Sequence, residues 1–395
     1  MQKTKDSKIH ITLDDKEHIE CAINTPVSSL LQSRVNSQGL FYIACLVNND
    51  VVSLCYLLEV NSNIRLLTMA DSLDMRIYRN SLSFLLAKAV AEVLPKAKFS
   101  IEHSLGTGFY CSLETANKRK ITKSQLLHLE TYIKRLVKSD FPIQRRKLPF
   151  AEALSMFEKA GQADKVNLLR FTNPPKVVIY TCAGFADLSH GPLAPSTASL
   201  QTFKLIFYAP GFVLQFPSRD KPKQVTQFKD QPHLFHIFQE HKKWGRILGI
   251  NNVGKLNEII VNGKISNFIK IDEAFHEKKI ANIADQIFAK RKDVKVILIS
   301  GPSGAGKTTF SKRLSVQLQV LGLKPELISL DNYYFDDECT PRQQSKQPDY
   351  EHIEAIDIKL FNTHLLELVS GNEIELPYFN FEKKRRETQG RKLQL

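Results

Sequence analysis

The sequence predicts a multidomain protein, α+β over most of its length and α/β, with a parallel sheet, at its end. Three observations predict this. At 395 residues the chain is too long for one ordinary core, so several domains are expected. Residues 8–68 form short alternating or apolar runs broken by turn residues, the pattern of a small β-rich unit. Residues 294–300, VKVILIS, are an apolar, β-branched run leading into a glycine-rich loop and then a helical pattern at 307–321. That is the order strand, loop, helix of a parallel α/β domain.

The elements follow in chain order. Residues 8–14 alternate as a strand, and 26–33 suit a short helix. Residues 43–47 and 51–59 read as strands around the turn Asn48-Asn49-Asp50, and 64–68 close the unit. Residues 78–93 carry apolar side chains at helical spacing, with Pro95 just beyond. Residues 124–138 and 148–160 also read as helices. The stretch 171–216 reads as strands and loops, and 228–292 as helices. The last of these, 273–292, has acidic residues early and basic ones late, as the helix dipole favours. After the loop comes a second short strand, 326–330 (ELISL), and Asp331 follows it.

Composition narrows the class. With 43% hydrophobic and 24% charged residues, the chain belongs with soluble globular proteins. No apolar run is long enough to span a membrane. The polar start MQKTKDSKIH lacks the apolar core of a signal peptide. Six Cys occur with no C-x-x-C pair, so a zinc knuckle or redox motif is not expected. Free thiols in a reducing cytoplasm are the expected reading. The net charge of +14 points to polyanions, nucleotides, nucleic acid or both; a merely basic surface is the alternative, because Lys and Arg are spread along the chain.

The loop Gly301-Pro302-Ser303-Gly304-Ala305-Gly306-Lys307-Thr308 fits G-x-x-x-x-G-K-[ST] in full. Its glycines let backbone N–H groups turn onto phosphate. The helix N-terminus adds partial positive charge. Lys307 can reach the outer phosphates, and the Thr308 hydroxyl can ligate Mg²⁺. Asp331, at the C-terminal end of the next strand, lies where open α/β sheets bind ligands. Its carboxylate can take a hydroxyl proton or hold Mg²⁺ through water; a plain helix cap is the other reading.

Taken together, GPSGAGKTT, SLDNYY at 329–334, DYEHIEAID at 349–357 and ELPYFNF at 375–381 resemble the uridine kinase and phosphoribulokinase family. The resemblance covers about 294–395. It implies ATP and Mg²⁺ held by Gly301, Ser303, Gly304, Ala305, Gly306, Lys307, Thr308 and Thr309, with Thr308 as the metal ligand. It implies Asp331 as the base and Tyr334 beside the substrate. Asp357 matches the last Asp of the long element. Three positions depart from the pattern: Glu351 replaces a sugar-binding Asp, Phe379 a base-stacking Tyr, and Lys384 a base-reading His. Uridine is therefore in doubt, while a nucleoside or related sugar substrate stays open. The run 383–386 (KKRR) reads as a phosphate-facing or a solvated loop. The family continues beyond the last element matched here, so the chain reads as an incomplete, C-terminally shortened member with weak turnover.

Residues 8–68 resemble a TGS domain, a β-grasp module. Residues 78–111 and 180–205 are similar to the editing domain of threonyl-tRNA synthetases. That family's polar site falls here on Asn80, Phe84, Ser189 and Leu193. A Phe and a Leu can neither ligate metal nor move protons. The resemblance thus implies a kept fold and a lost editing chemistry. The expected domains are 1–68 (TGS-like), 69–227 (editing-like, degenerate), 228–292 (helical connector) and 293–395 (phosphate-loop domain, N-terminal part). The expected activity is transfer of the ATP γ-phosphate to a hydroxyl of a nucleoside or sugar. The alternative is a nucleotide-binding RNA-binding or sensor protein without turnover. RNA contact through 1–227, a cytoplasmic location and no membrane association complete the expectation; the oligomeric state is not readable.

Overall fold

The computed structural model describes residues 8–71, 75–114, 120–342 and 347–395. It contains two compact units, Met1–Val261 and Asn262–Leu395, and each is taken by itself. Together they form a mixed α/β multidomain protein with several sheets.

The first unit opens with β1 (Lys8–Leu13), β2 (Glu17–Ala22), β3 (Thr25–Pro26), β4 (Tyr42–Val47), β5 (Asp50–Val52), β6 (Leu57–Leu58) and β7 (Ser62–Thr68). Five of these make one sheet in the order β2-β1-β7-β4-β5, and β3 pairs with β6 separately. The β1–β7 pair is parallel; the other pairs are antiparallel. The period of two puts Ile9, Ile11 and Leu13 inward, against Val47, Leu54 and Ile64. The β4–β5 hairpin turns at Asn48 and Asn49, both left-handed at φ 47 and 74. Asparagine tolerates that region, which is why this turn was legible. The expected strand 51–59 stops at Val52, and only Leu57–Leu58 pairs again.

The same unit continues with α1 (Met75–Val93), β8 (Lys98–Leu105), β9 (Gly108–Glu114), α2 (Lys123–Lys138), β10 (Gln144–Pro149), α3 (Phe150–Lys159) and α4 (Ala163–Thr172). Then come β11 (Lys176–Cys182), β12 (Phe185–Leu188), β13 (Lys204–Tyr208), β14 (Gly211–Gln215), α5 (Pro232–Ile247) and α6 (Val253–Val261). One sheet has the order β13-β14-β9-β8 and another β10-β11-β12. The start of α2 is a capping box, in which Thr122 and Gln125 each satisfy the other's backbone N–H. Its buried side chains, Leu126, Leu129, Ile133 and Leu136, keep helical spacing. They join the main core with Leu82, Leu85, Leu86 and Ala89 of α1. Gly211 is required by packing: a Cβ there would lie 2.1 Å from the carbonyl oxygen of Cys111 on β9. No helix is long and apolar enough to cross a membrane among the described residues.

The second unit has α7 (Ile265–Ala289), α8 (Lys307–Val320), α9 (Ile358–Val369), β15 (Ile374–Asn380) and β16 (Arg385–Leu393). Helices α7 and α8 pack through Ile280, Ala284, Leu314 and Leu318. A second cluster joins Tyr333, Leu368, Ile374, Leu376 and Leu393. The expected parallel sheet is not formed here. Residues 294–300 and 326–329 have no strand pairing among the described residues. Val296, Ile297, Leu298 and Leu327 are exposed, Leu298 at 77%. Strand character is conferred by hydrogen-bonded neighbours, and a segment with no pairing partner does not hold it. The sheet of this unit is instead the antiparallel hairpin β15–β16.

Candidate active site

The glycine-rich loop leads directly into α8. Gly304 and Gly306 are left-handed at φ 73 and 82, a conformation that strains any side chain. Gly306 is the residue preceding the helix, and no side chain caps its first amides. Those free N–H groups, with the helix dipole, form an anion cradle. Lys307 Nζ donates to the carbonyl oxygens of Gly301 (2.8 Å) and Pro302 (3.1 Å), folding its charge over the loop mouth. Gly301, Ser303, Gly304, Ala305, Gly306, Lys307, Thr308 and Thr309 are all exposed. The donor set is cationic or neutral throughout, which suits a polyphosphate. No cluster of three or more Asp, Glu, His or Cys is placed to hold a metal among the described residues. A Mg²⁺ ion bound through the Thr308 hydroxyl would therefore draw its other ligands from phosphate and water.

The turn that carries Asp331 is a 3-10 helix, Leu330–Tyr333. Ser329 caps it by accepting from the Asp331 N–H at 3.3 Å. The Asp331 carboxylate is not the cap; it is exposed and makes no hydrogen bond or ion pair among the described residues. Tyr333 anchors the turn. Its fully buried ring meets Phe361 edge-on, and its hydroxyl lies 3.1 Å from His364 Nδ1. Burial, followed by repulsion from Arg386, lowers the pKa of half-buried His364.

Tyr334 is the meeting point of the expected substrate residues. Its ring packs edge-on against Tyr350 (5.2 Å), Phe379 (5.6 Å) and Phe381 (6.4 Å). Burial raises its pKa, and the charges of Asp331 and Glu351 raise it further. Tyr334 and Phe379 are thus in ring contact, with Asp331 three residues before Tyr334 in the chain and Glu351 next to Tyr350. Phe379 is only 1% exposed and forms the back wall, while Phe381 (61% exposed) presents its ring to solvent. Lys384 stands in a left-handed turn at φ 52 and is exposed. No hydrogen bond, ion pair or ring contact joins this group to residues 301–309 among the described residues.

Arg386 was not singled out by its sequence. It stands at the end of the run 383–386, and its guanidinium is held by protein groups rather than free in solvent. Its NH2 donates to the carbonyl oxygens of Tyr333 (3.0 Å) and Tyr334 (3.1 Å), and its NH1 to Asp357 Oδ2 (3.2 Å). Asp357 also caps α9 by accepting from Leu360 N–H at 3.0 Å. Tyr350, also unmarked in the sequence reading, donates its hydroxyl to Asp337 at 2.9 Å.

In the first unit, the four positions of the editing resemblance divide into two pairs. Phe84 (5% exposed) and Leu193 (1%) belong to the main core, and Phe84 meets Phe185 edge-on at 5.3 Å. Ser189 donates to the Gly191 carbonyl at 3.0 Å, and Asn80 is half-buried near Gly191. His103 is stacked on Phe238 at 3.7 Å, inside an aromatic cluster with Tyr110 and Phe235. His190 is exposed.

Comparison with known proteins separates the two halves. Residues 296–394 match the model of the Phosphoribulokinase / Uridine kinase family, so the C-terminal part carries a domain of that kinase family. The N-terminal part is similar to threonine–tRNA ligases. That of Desulforamulus reducens is 31% identical over 263 residues, 62% of this chain and 40% of the ligase. That of Janthinobacterium sp. (strain Marseille) is 34% identical over 213 residues, 51% of this chain and 33% of the ligase. That of Clostridioides difficile is 27% identical over 227 residues, 54% and 35% respectively. The chain thus spans at most 40% of the length of these relatives.

Proposed function

We propose that the protein is an ATP- and Mg²⁺-dependent phosphotransferase that acts on a hydroxyl of a nucleoside or related sugar. The observation that carries this is an uncapped phosphate loop in the same unit as a free carboxylate, Asp331, set at the rim of an aromatic cluster. The loop amides, Lys307 and the hydroxyls of Thr308 and Thr309 hold the triphosphate, and Thr308 supplies the protein's ligand to Mg²⁺. When bound there, Mg²⁺ would supply positive charge to offset that of the phosphates. Asp331 accepts the proton as the acceptor hydroxyl attacks the γ-phosphorus and ADP departs. Tyr334, with Phe379 behind it and Glu351 beside it, orients the acceptor. Buried Phe379 and the Lys384 turn favour a contact surface made by Tyr334 and Phe381 rather than a base stacked on Phe379.

For the first unit we infer a TGS-like β-grasp domain at 1–68 and an editing-like domain at 69–227 without editing chemistry. The parallel β1–β7 pair within a mixed sheet supports the first. The ligase similarity, with Phe84 and Leu193 filling the core, supports the second. The helical stretch 228–292 is divided between the units, α5 and α6 in the first and α7 in the second with the phosphate-loop residues 293–395. A second reading keeps nucleotide binding without transfer, in a sensor that contacts RNA through residues 1–227. Among the described residues no hydrogen bond, ion pair or ring contact joins the loop to the Asp331 turn, which is compatible with this reading. A cytoplasmic location fits both readings.

The test is ADP release across a panel of nucleosides and pentose phosphates, for the wild-type chain and for Asp331→Asn. An acceptor that stimulates release in the wild type, with loss of about a hundredfold in the variant and nucleotide binding retained, supports the kinase. Release that no acceptor stimulates favours the sensor.

A further inference from the structure

We propose that Arg386 is a positioning residue that fixes the Asp331–Tyr334 turn for phosphoryl transfer; this rests on the kinase reading above.

The inference comes from where the guanidinium goes. Backbone carbonyls in a turn are ordinarily satisfied by the chain itself. Here two successive carbonyls, of Tyr333 and Tyr334, both accept from one nitrogen of a side chain more than fifty residues away. The other terminal nitrogen engages Asp357, whose own backbone N–H donates to the Tyr333 carbonyl at 2.8 Å. The Arg386 N–H donates to Asp336 Oδ1 at 2.7 Å, and its guanidinium lies 5.7 Å from the Phe335 ring centre. One residue of β16 thus touches four consecutive residues, Tyr333 to Asp336, and the cap of α9.

The site is also desolvated. The side chains of Arg386 and Asp357 are 25% and 20% exposed, so the pair is screened less than a surface bridge. Guanidinium supplies planar, forked donors in fixed geometry, which a lysine ammonium does not reproduce. The consequence is directional. Tyr334 is one of the clamped residues, Asp331 lies two residues before them on the turn that ends at Tyr333, and Phe379 lies on β15, paired with Arg386 itself. Arg386 therefore ties the carboxylate, the aromatic contact and its back wall into one frame. It touches none of the reacting atoms itself. A carboxylate displaced by about 1 Å can cost a hundredfold in rate.

Two measurements on the full chain test this. The first is amide hydrogen exchange of residues 330–336 and of α8 in wild type, Arg386→Lys and Arg386→Gln. Faster exchange at 330–336 in both variants, with α8 unchanged, is expected. Unchanged exchange at 330–336 overturns the clamp whatever the enzyme does. The second is steady-state transfer to whichever acceptor the wild type uses. The expected result is a fall in kcat of about a hundredfold in Arg386→Gln, with KM for ATP within about twofold because the loop is untouched. A fall in both, or in neither, overturns the positioning role. If the wild type transfers to no acceptor, the kinase reading fails and the transfer role falls with it, while the exchange result still decides whether Arg386 holds the turn.

Discussion

At the scale of single residues, Phe84 and Leu193 are two of the four positions on which the synthetase resemblance places its polar site, and both are buried in the main core. Neither is a neutral placeholder. Phe84 makes an aromatic contact with Phe185, so truncation to alanine removes both packing and the ring pair. Phe84→Ala should cost about 3–5 kcal/mol of unfolding free energy, read as a shifted midpoint in urea. A change below about 1 kcal/mol would mean that the site collapses freely and that Phe84 is not structural. The identity of the loop residues was legible for a different reason. Their chemistry is local, and Gly304, Gly306 and Lys307 need no distant partner to be recognised. Arg386 was not legible, because what defines it is a pair of carbonyls far back in the chain.

At the scale of elements, α2 falls where 124–138 reads as a helix, and the structure fixes its start with a capping box at Thr122. The Asn48–Asn49 turn announced the β4–β5 hairpin. The run 294–300 failed as a strand because its composition describes a buried environment that its surroundings here do not supply. A loop-to-loop bridge in the first unit illustrates the same dependence on partners. Arg34 donates to both oxygens of Asp140, at 2.6 and 3.0 Å, and to Ser196 Oγ at 2.7 Å. The Arg34 hydrogen bonds hold the Asp140 pKa down at about 2. A carboxylate whose pKa is lowered on folding stabilises the fold above its unfolded value near 4 and loses that contribution as pH falls toward 2. Both side chains are more than a third exposed, and screening brings the effect to about 1 kcal/mol. Arg34→Ala should lower stability by that amount at pH 7 and by little at pH 2. An equal loss at both values would show that packing, not charge, is what Arg34 contributes.

At the scale of the molecule, the two units carry different chemistry. The phosphate loop and the Asp331 turn lie in Asn262–Leu395, and most of the excess positive charge lies in Met1–Val261. If that charge serves polyanion binding, the affinity of the chain for transfer RNA should fall steeply as salt rises, with a log–log slope that counts the phosphates contacted. Absence of binding at low salt would leave the charge as a feature of the surface alone.

The exposed run at 296–298 has a consequence for the protein in solution. Three consecutive β-branched or aliphatic side chains are exposed on a segment with no strand pairing among the described residues, and VKVILIS contains no proline and a single charge. Such a segment is a template on which like segments of other chains can stack. The protein should therefore show concentration-dependent growth of sedimenting species, slowed by Leu298→Lys, which places a charge at the centre of the sticky surface.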